Sequence, residues 1–252
     1  MANHYVVYKW KNTARISFGK NELCLRPILR GRDIKRYSYQ YADLYLISTF
    51  PAKGYDIDDY PAVKDYLLKF GIERLEQTGK EHIINGERVK ARKKTSKKWY
   101  ETQDSISYWD LLSQPKIIWG EISDKSKFCI DLHGRYVPEA TTFMLSGENL
   151  IYLLAFLNCS VSEYLFSIIG TTTGVGTVRW KKYKILELPV PKSIPNDLYS
   201  QLLEVCSQTI ESSDNDSNES KINSIIYQVY GLSEDEIEFI ESKIYPSKHS
   251  SL

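Results

Sequence analysis

The chain has 252 residues, 42% of them hydrophobic and 26% charged, with a formal net charge of +1, the make-up of a globular protein large enough to bury a full core. No run approaches the roughly 18 consecutive apolar residues that span a bilayer, and the opening MANHYVVYKWKNTAR lacks a secretory apolar stretch, so a cytoplasmic location and no membrane partner are expected. The four cysteines, Cys24, Cys129, Cys159 and Cys206, are scattered with no C-x-x-C pair, which argues against a zinc knuckle or a disulfide framework and for reduced, mostly buried thiols.

In chain order, CLRPIL, ADLYLIST, PKIIWGEI and KFCIDL are short, rich in β-branched or aromatic residues and bounded by turn formers, and read as strands. One helix interrupts them, from Pro61 in its first turn to a stop at Gly79, with Val63, Tyr66, Leu67, Phe70 and Leu75 at helical spacing. EHIINGERVKARKKTSKKWYE follows as an exposed hairpin or loop turning at Asn85-Gly86. GENLIYLLAFLNCSVSEYLFSIIG is apolar all round and reads as one long buried helix, Leu150 to Ile169, stopped by Gly170. After a Gly- and Thr-rich turn, KYKILELPVPKSIP reads as a strand ending in prolines. Helices are then expected over Leu198 to Ile210, over Ile222 to Tyr230, and from a capping box of Ser233 and Glu236, with ESSDNDSNES an acidic linker between the first two. The fold expected is α+β, a mixed β-rich recognition core with a long buried helix and a C-terminal helical segment, divided as 1–195 and 196–252.

The near-zero net charge hides a division. Met1 to Arg135 holds 25 Lys and Arg against 17 Asp and Glu, whereas Glu187 to Leu252 holds 4 against 12. Any polyanion-binding face therefore belongs to the first half, and the tail should face protein rather than phosphate. Basic residues interleave with aromatic and small polar ones at three places. RPILRGRDIKRY offers Arg30, Arg32, Lys35 and Arg36, although Asp33 competes for an arginine; KARKKTSKKWY, with the preceding hairpin, offers Lys90, Arg92, Lys93, Lys94, Lys97 and Lys98; TTTGVGTVRWKKYK offers Thr173, Arg179, Lys181 and Lys182. Lysines so close in sequence repel one another and a polyanion relieves that, while arginine beside small residues suits base edges.

Groups for catalysis are harder to name. H-E-x-x-H, G-x-S-x-G and G-x-x-x-x-G-K-[ST] are absent, and Gly170, Gly174 and Gly176 follow a helix instead of opening one, unlike a dinucleotide fingerprint. A metal-dependent nuclease remains an alternative through Asp110, Glu121 and Lys125 around PKIIWGEI, though the last two depart from E-x-K spacing. His4, His82, His133 and His249 are isolated, and a turn at DLHG separates Cys129 from His133. A protein-interaction scaffold with an incidental basic loop is the other alternative.

The ordered segments LRPILRGRDIKRY, YLIST, YPAVKDYL, WYE, QPKIIWGEIS, ENLIYLLAFLNCSVSEYLF and LELPVP, closed by YGLSEDEIEFIE, resemble the TaqI-like C-terminal specificity domain of type II and type IIG restriction-modification enzymes, similar in role to the recognition domains of type I specificity subunits. The match runs from about Leu25 to Glu241. It implies a non-catalytic module that binds double-stranded DNA and positions a methyltransferase or nuclease supplied by another domain or subunit. The adenine-holding N-P-P-[YF] motif is missing, so S-adenosylmethionine and magnesium are expected only for the parent enzyme, with no cofactor in this chain. The start at MANHYVVYKW, shortly before the first family segment, favours an excised or truncated piece.

Overall fold

The computed structural model describes residues 7–9, 24–104, 107–174, 176–212 and 216–245; His4, His249, most of the opening segment and 213–215 of the acidic linker lie outside them. The chain is α+β. Its described residues form two compact units: the first takes residues up to Ile28, Ala42–Leu112 and Arg135–Val137, the second Leu29–Tyr41, Ser113–Gly134 and the residues from Pro138 on.

In the first unit, β1 (Val7–Lys9), β2 (Leu25–Leu29) and β3 (Leu44–Ile47) pair antiparallel with β3 central, in the register Val7↔Leu46 and Leu25↔Ile47. Next come α1 (Pro61–Leu68) and α2 (Ile72–Leu75). The single helix expected to run on to Gly79 is broken at Gly71, whose φ of +79° is a left-handed conformation that glycine adopts without cost. Val63 and Leu67, four apart on α1, drop into a core with Cys24, Ile47, Ile57, Tyr60, Leu75 and Tyr100. The hairpin of β4 (Glu81–Ile84) and β5 (Glu87–Lys90) turns where expected: Asn85 and Gly86 both take positive φ, 50° and 82°, as a two-residue hairpin turn matched to strand twist requires.

In the second unit, β6 (Lys116–Gly120) is buried at every residue; β7 (Ile122–Ser123) follows, and β8 (Phe128–Asp131) pairs antiparallel with β6. β9 (Val137–Pro138) returns to the first unit at Val137 and ends the sheet order β1-β3-β2-β9. β10 (Thr142–Ser146) completes the three-stranded sheet β10-β6-β8, giving β6 a neighbour on each side, which is why it reads as a continuous apolar run. The run 150–169 is two helices, α3 (Leu150–Asn158) and α4 (Ser160–Ile169), meeting at 65°. The break comes at Cys159, whose extended ψ of 159° lets its sulfur accept from the Ser162 amide and cap α4. Alongside it, the Asn158 amide makes reciprocal hydrogen bonds to Phe128 N and O, serving β8 as a strand edge would. No single described helix is long and apolar enough to cross a membrane, and this bent pair, with Leu154, Ala155 and Phe156 fully buried, is the core of the second unit.

β11 (Thr171–Thr172) and β12 (Val178–Arg179) form a hairpin on β7, in the order β11-β12-β7. KYKILELP, expected as a strand, starts as the short helix α5 (Lys182–Ile185): Ile185 and Leu188, three apart, are buried, while Tyr183 and Leu186 face solvent, a spacing that a period-two strand cannot satisfy. Three helices close the chain, α6 (Asn196–Glu211), α7 (Asp216–Tyr230) and α8 (Glu234–Ile244). α7 begins well before Ile222, so Asp216 to Ser220 of the expected linker is helical, with Asp216 and Glu219 at the end of the helix where negative charge is favoured. Ser233 and Glu236 form the expected capping box, with Ser233 N donating to Glu236 Oε2 at 2.9 Å. α6 packs on α3 and α7, and α8 packs on α4. All four cysteines are buried and unbridged.

One ion network ties this unit together. Arg36 donates from Nε to Glu219 on α7 (2.7 Å), from Nη1 to Glu163 on α4 (3.0 Å) and to Ser126 Oγ (2.6 Å), and from Nη2 to the Asn158 carbonyl. Burial opposes its charge, but Tyr37, Glu219 and Glu163 outweigh that and raise its pKa. Replacing it strands two acidic groups, so Arg36→Met should lower unfolding free energy by about 3–5 kcal/mol. A denaturation midpoint unchanged from the parent chain would refute this.

Candidate nucleic-acid interface

The first unit presents a lysine loop on a rigid frame. Residues 91–98 leave β5 without regular structure, yet the main chain is held at every turn: Ala91 N donates to Lys80 O (2.8 Å), Arg92 N to Glu76 O (3.0 Å) and Thr95 N to Gln77 O (2.9 Å). Gln77, 4% exposed, is the central pin. Its Nε2 donates to the carbonyls of Lys98 and Glu101, and its Oε1 accepts from Thr95 Oγ1 at 2.6 Å. Arg92 works from the other side, its Nε, Nη1 and Nη2 donating to the carbonyls of Leu75, Glu101 and Trp99. All three nitrogens are thus engaged within the unit. Lys90, Lys93, Lys94, Lys97 and Lys98 are exposed, with Lys98 Nζ 5.5 Å from the centre of the Tyr100 ring. The result is a stiff loop carrying five cations into solvent.

In the second unit, the Arg30–Arg36 segment alternates in fate. Arg30 forks onto Asp33, Nε to Oδ2 at 2.9 Å and Nη2 to Oδ1 at 2.6 Å, the competition anticipated from sequence. Burial pushes the Asp33 carboxyl up, and hydrogen bonds from Arg30 overcome that and hold it below its ordinary value. Arg36 belongs to the internal network. Arg32 and Lys35 remain exposed. This segment lies against the main chain of β6, where Gly31 and Gly120 meet so closely that a Cβ on Gly120 would stand 3.2 Å from Gly31 Cα.

The hairpin of β11 and β12 presents the third basic group. Thr173 N donates to Thr177 O at 3.0 Å, closing a turn in which Gly174 and Gly176 take positive φ and have open space around them; Val175 lies outside the described residues. Arg179 Nη1 donates to Glu121 Oε1 at 2.8 Å, and Lys181 Nζ reaches the same oxygen at 2.6 Å. Lys182 is exposed at the start of α5. Trp180 sets the register, stacking on Phe166 at 3.9 Å between ring centres, with its amide donating to Glu121 O at 2.7 Å.

These contacts also bear on the nuclease alternative. Glu121, one of its carboxylates, is clamped by two cations, and hydrogen bonding to Lys181, with a lesser share from Arg179, holds its pKa below the usual 4.5. Asp110 is exposed in the first unit, on the 3-10 turn Trp109–Ser113, and Lys125 sits over the Tyr245 ring. His82 lies on β4 and His133 in the exposed turn after β8. Among the described residues, no group of three His, Cys, Asp or Glu side chains gathers to hold a metal ion.

The comparisons with known proteins supply the family. Residues 26–190 match the model of the TaqI-like C-terminal specificity domain, and the chain belongs to that family. It is similar to the type II methyltransferase M.BstVI of Geobacillus stearothermophilus, with 26% identity over 225 residues, 87% of this chain and 36% of that protein. The crystal structure of the type IIG restriction endonuclease BpuSI is also similar, at a TM-score of 0.46 and 11% identity, over 83% of this chain and 27% of that one. The chain thus spans about a third of the first relative's length and about a quarter of the second's.

Sequence reasoning missed two residues that shape these elements, Gln77 and the buttressing role of Glu121. A buried Gln between a helix and a basic loop gives no local pattern; Glu121, ahead of a turn and opposite a second basic cluster, offers only its position beside a strand. Two outcomes check the geometry. Gln77→Ala should leave the Lys98 carbonyl and the Thr95 hydroxyl without their partner and take one of two donors from the Glu101 carbonyl, costing about 1–3 kcal/mol, and the loosened loop should show faster amide exchange at Thr95 with little change at β6; equal protection in both chains would contradict the pin. A carbon-detected titration of Glu121 should place its midpoint below 4.5. Because its folded-state pKa is depressed, the pairing contributes fully above the unfolded value and fades as pH falls through the folded one. A midpoint at or above 4.5 would show that the clamp is absent in solution.

Proposed function

We propose that this chain is the sequence-reading, non-catalytic module of a restriction-modification enzyme, binding a duplex DNA site and positioning a methyltransferase or nuclease carried by the rest of a longer protein or by a separate subunit. The supporting observation is a basic loop held rigidly by its main chain within a member of a specificity-domain family. Rigid lysines fix register through phosphates, and a few polar groups on short strands read base edges. The relative's designation as a type II methyltransferase supports placing methyl transfer, with its S-adenosylmethionine, in the parent protein beyond this chain; magnesium for any cleavage is placed there too.

Within this reading, the DNA-facing residues are Lys90, Lys93, Lys94, Lys97 and Lys98 on the first unit and, taken by itself, Arg32, Lys35, Thr173, Arg179, Lys181 and Lys182 on the second. Arg30, Arg36 and Arg92 hold those residues in place through their internal hydrogen bonds. The acidic helices α6 to α8 serve the scaffold by packing on α3 and α4.

Replacing Lys93, Lys94, Lys97 and Lys98 by alanine should weaken binding to all duplexes alike. It should also flatten the slope of log affinity against log salt by about 0.9 for each lysine–phosphate pair removed. Fluorescence anisotropy on random-sequence and selected duplexes over a salt series measures both, with circular dichroism to verify folding. Weakening confined to one sequence, with an unchanged slope, would assign base reading to the lysines; an unchanged affinity would remove them from the interface.

A further inference from the structure

We infer that Glu121 is a positioning residue that fixes Arg179 so that its Nε and Nη2 donors face a guanine in the DNA major groove. The inference rests on the DNA-reading function proposed above and gives that function a chemical letter.

Arginine donors differ in how much of each guanidinium is already committed. Arg30 uses its Nε/Nη2 edge on Asp33, and Arg36 and Arg92 use all three nitrogens. Arg179 differs: its Nη1 alone donates, to Glu121, and Nε and Nη2 have no hydrogen-bond partner among the described residues. Nε and Nη2 point from one edge of the planar group, with the Glu121 bond made through the other nitrogen, so the carboxylate leaves that two-donor fork whole. The fork is the one Arg30 applies to two oxygens of Asp33.

Both ends of the Arg179 side chain are fixed. Its backbone sits in β12 between β11 and β7, opposite Thr171 and Ile122, and the neighbouring Trp180 is locked by its stack on Phe166. Its tip is held by Glu121, and the side chain is still 42% exposed. A guanidinium restrained in this way loses little further freedom on binding. Its partner must offer two acceptors side by side, which both guanine O6/N7 and a phosphate do.

Charge decides between them. Glu121 shares one oxygen between Arg179 and Lys181, offsetting local positive charge and weakening the pull on a phosphate, while the directional hydrogen bonds a base edge requires are untouched. The turn beside it carries Gly174 and Gly176, with open space where a side chain would project, which lets the hairpin approach a groove floor.

The test begins with selection from a random-sequence duplex pool by the whole chain, followed by anisotropy on the selected duplex. Each guanine is replaced in turn by 7-deazaguanine, which lacks the N7 acceptor. The expected result is one guanine at which the replacement costs the wild-type chain on the order of tenfold in affinity, and costs Arg179→Ala nothing further. Glu121→Gln, which keeps shape but removes the charge that holds the fork, should relax preference at that position alone. Folding of each variant is compared by thermal melting. Should Arg179→Ala weaken all duplexes uniformly with no guanine sensitive to N7, Arg179 grips phosphate and the inference fails while DNA reading stands. If Glu121→Gln discriminates as wild type does, the positioning role fails. A wild-type chain that binds no duplex, or binds all alike, overturns the underlying function and this inference together.

Discussion

Arg36 is the constraint on which the second unit turns. One guanidinium reaches Glu219, 183 positions away in sequence, Glu163, Ser126 and the carbonyl of Asn158, joining α4, α7 and the approach to β8 around one buried charge. A charge taken from water is tolerated only when every donor finds an acceptor, so each of these elements must arrive in place for any of them to be stable. The next residue records the demand. Tyr37 takes a left-handed φ of 60°, costing about 1–2 kcal/mol, and is kept there by full burial and a 2.9 Å bond from its amide to Phe128 O. The outward direction of Arg32 and Lys35 follows from what Arg30 and Arg36 do inside.

Elements specified by nearby residues were legible in the sequence. β2, β3, β6, β8, the Asn85-Gly86 hairpin and the Ser233 capping box each follow from short-range chemistry, and each stands where the pattern put it. The breaks were less legible. Gly71 is a recognisable interruption only in hindsight of its positive φ, and nothing at Cys159 resembles a helix stop, since the bend depends on Asn158 engaging a strand 30 positions earlier. KYKILELP misleads because apolar residues three apart and alternating ones look alike over so short a span.

The candidate interface divides in the same way. The exposure of the lysines was legible, because a dense run of like charge has nowhere else to go. Arg30 was legible through Asp33, three residues on, but Arg36 and Arg92 were not, since their fates depend on distant or unremarkable partners: Arg92 on three carbonyls, Arg36 on Glu219. Glu219 came from an acidic stretch that reads as solvated linker. The negative tail is therefore more than a region kept away from phosphate, because one of its carboxylates holds a basic segment of the other half in shape.

The lysine loop carries a consequence for how such proteins diverge. Gln77, Arg92 and the main chain of residues 76–80 grip it through amides and carbonyls, groups every residue type except proline provides in full. Positions 93, 94, 97 and 98 are thus exchangeable without rerouting the chain. A lineage under pressure to change its target can rewrite those side chains one at a time on an unaltered frame, and a laboratory library confined to them would sample new specificities from folded members.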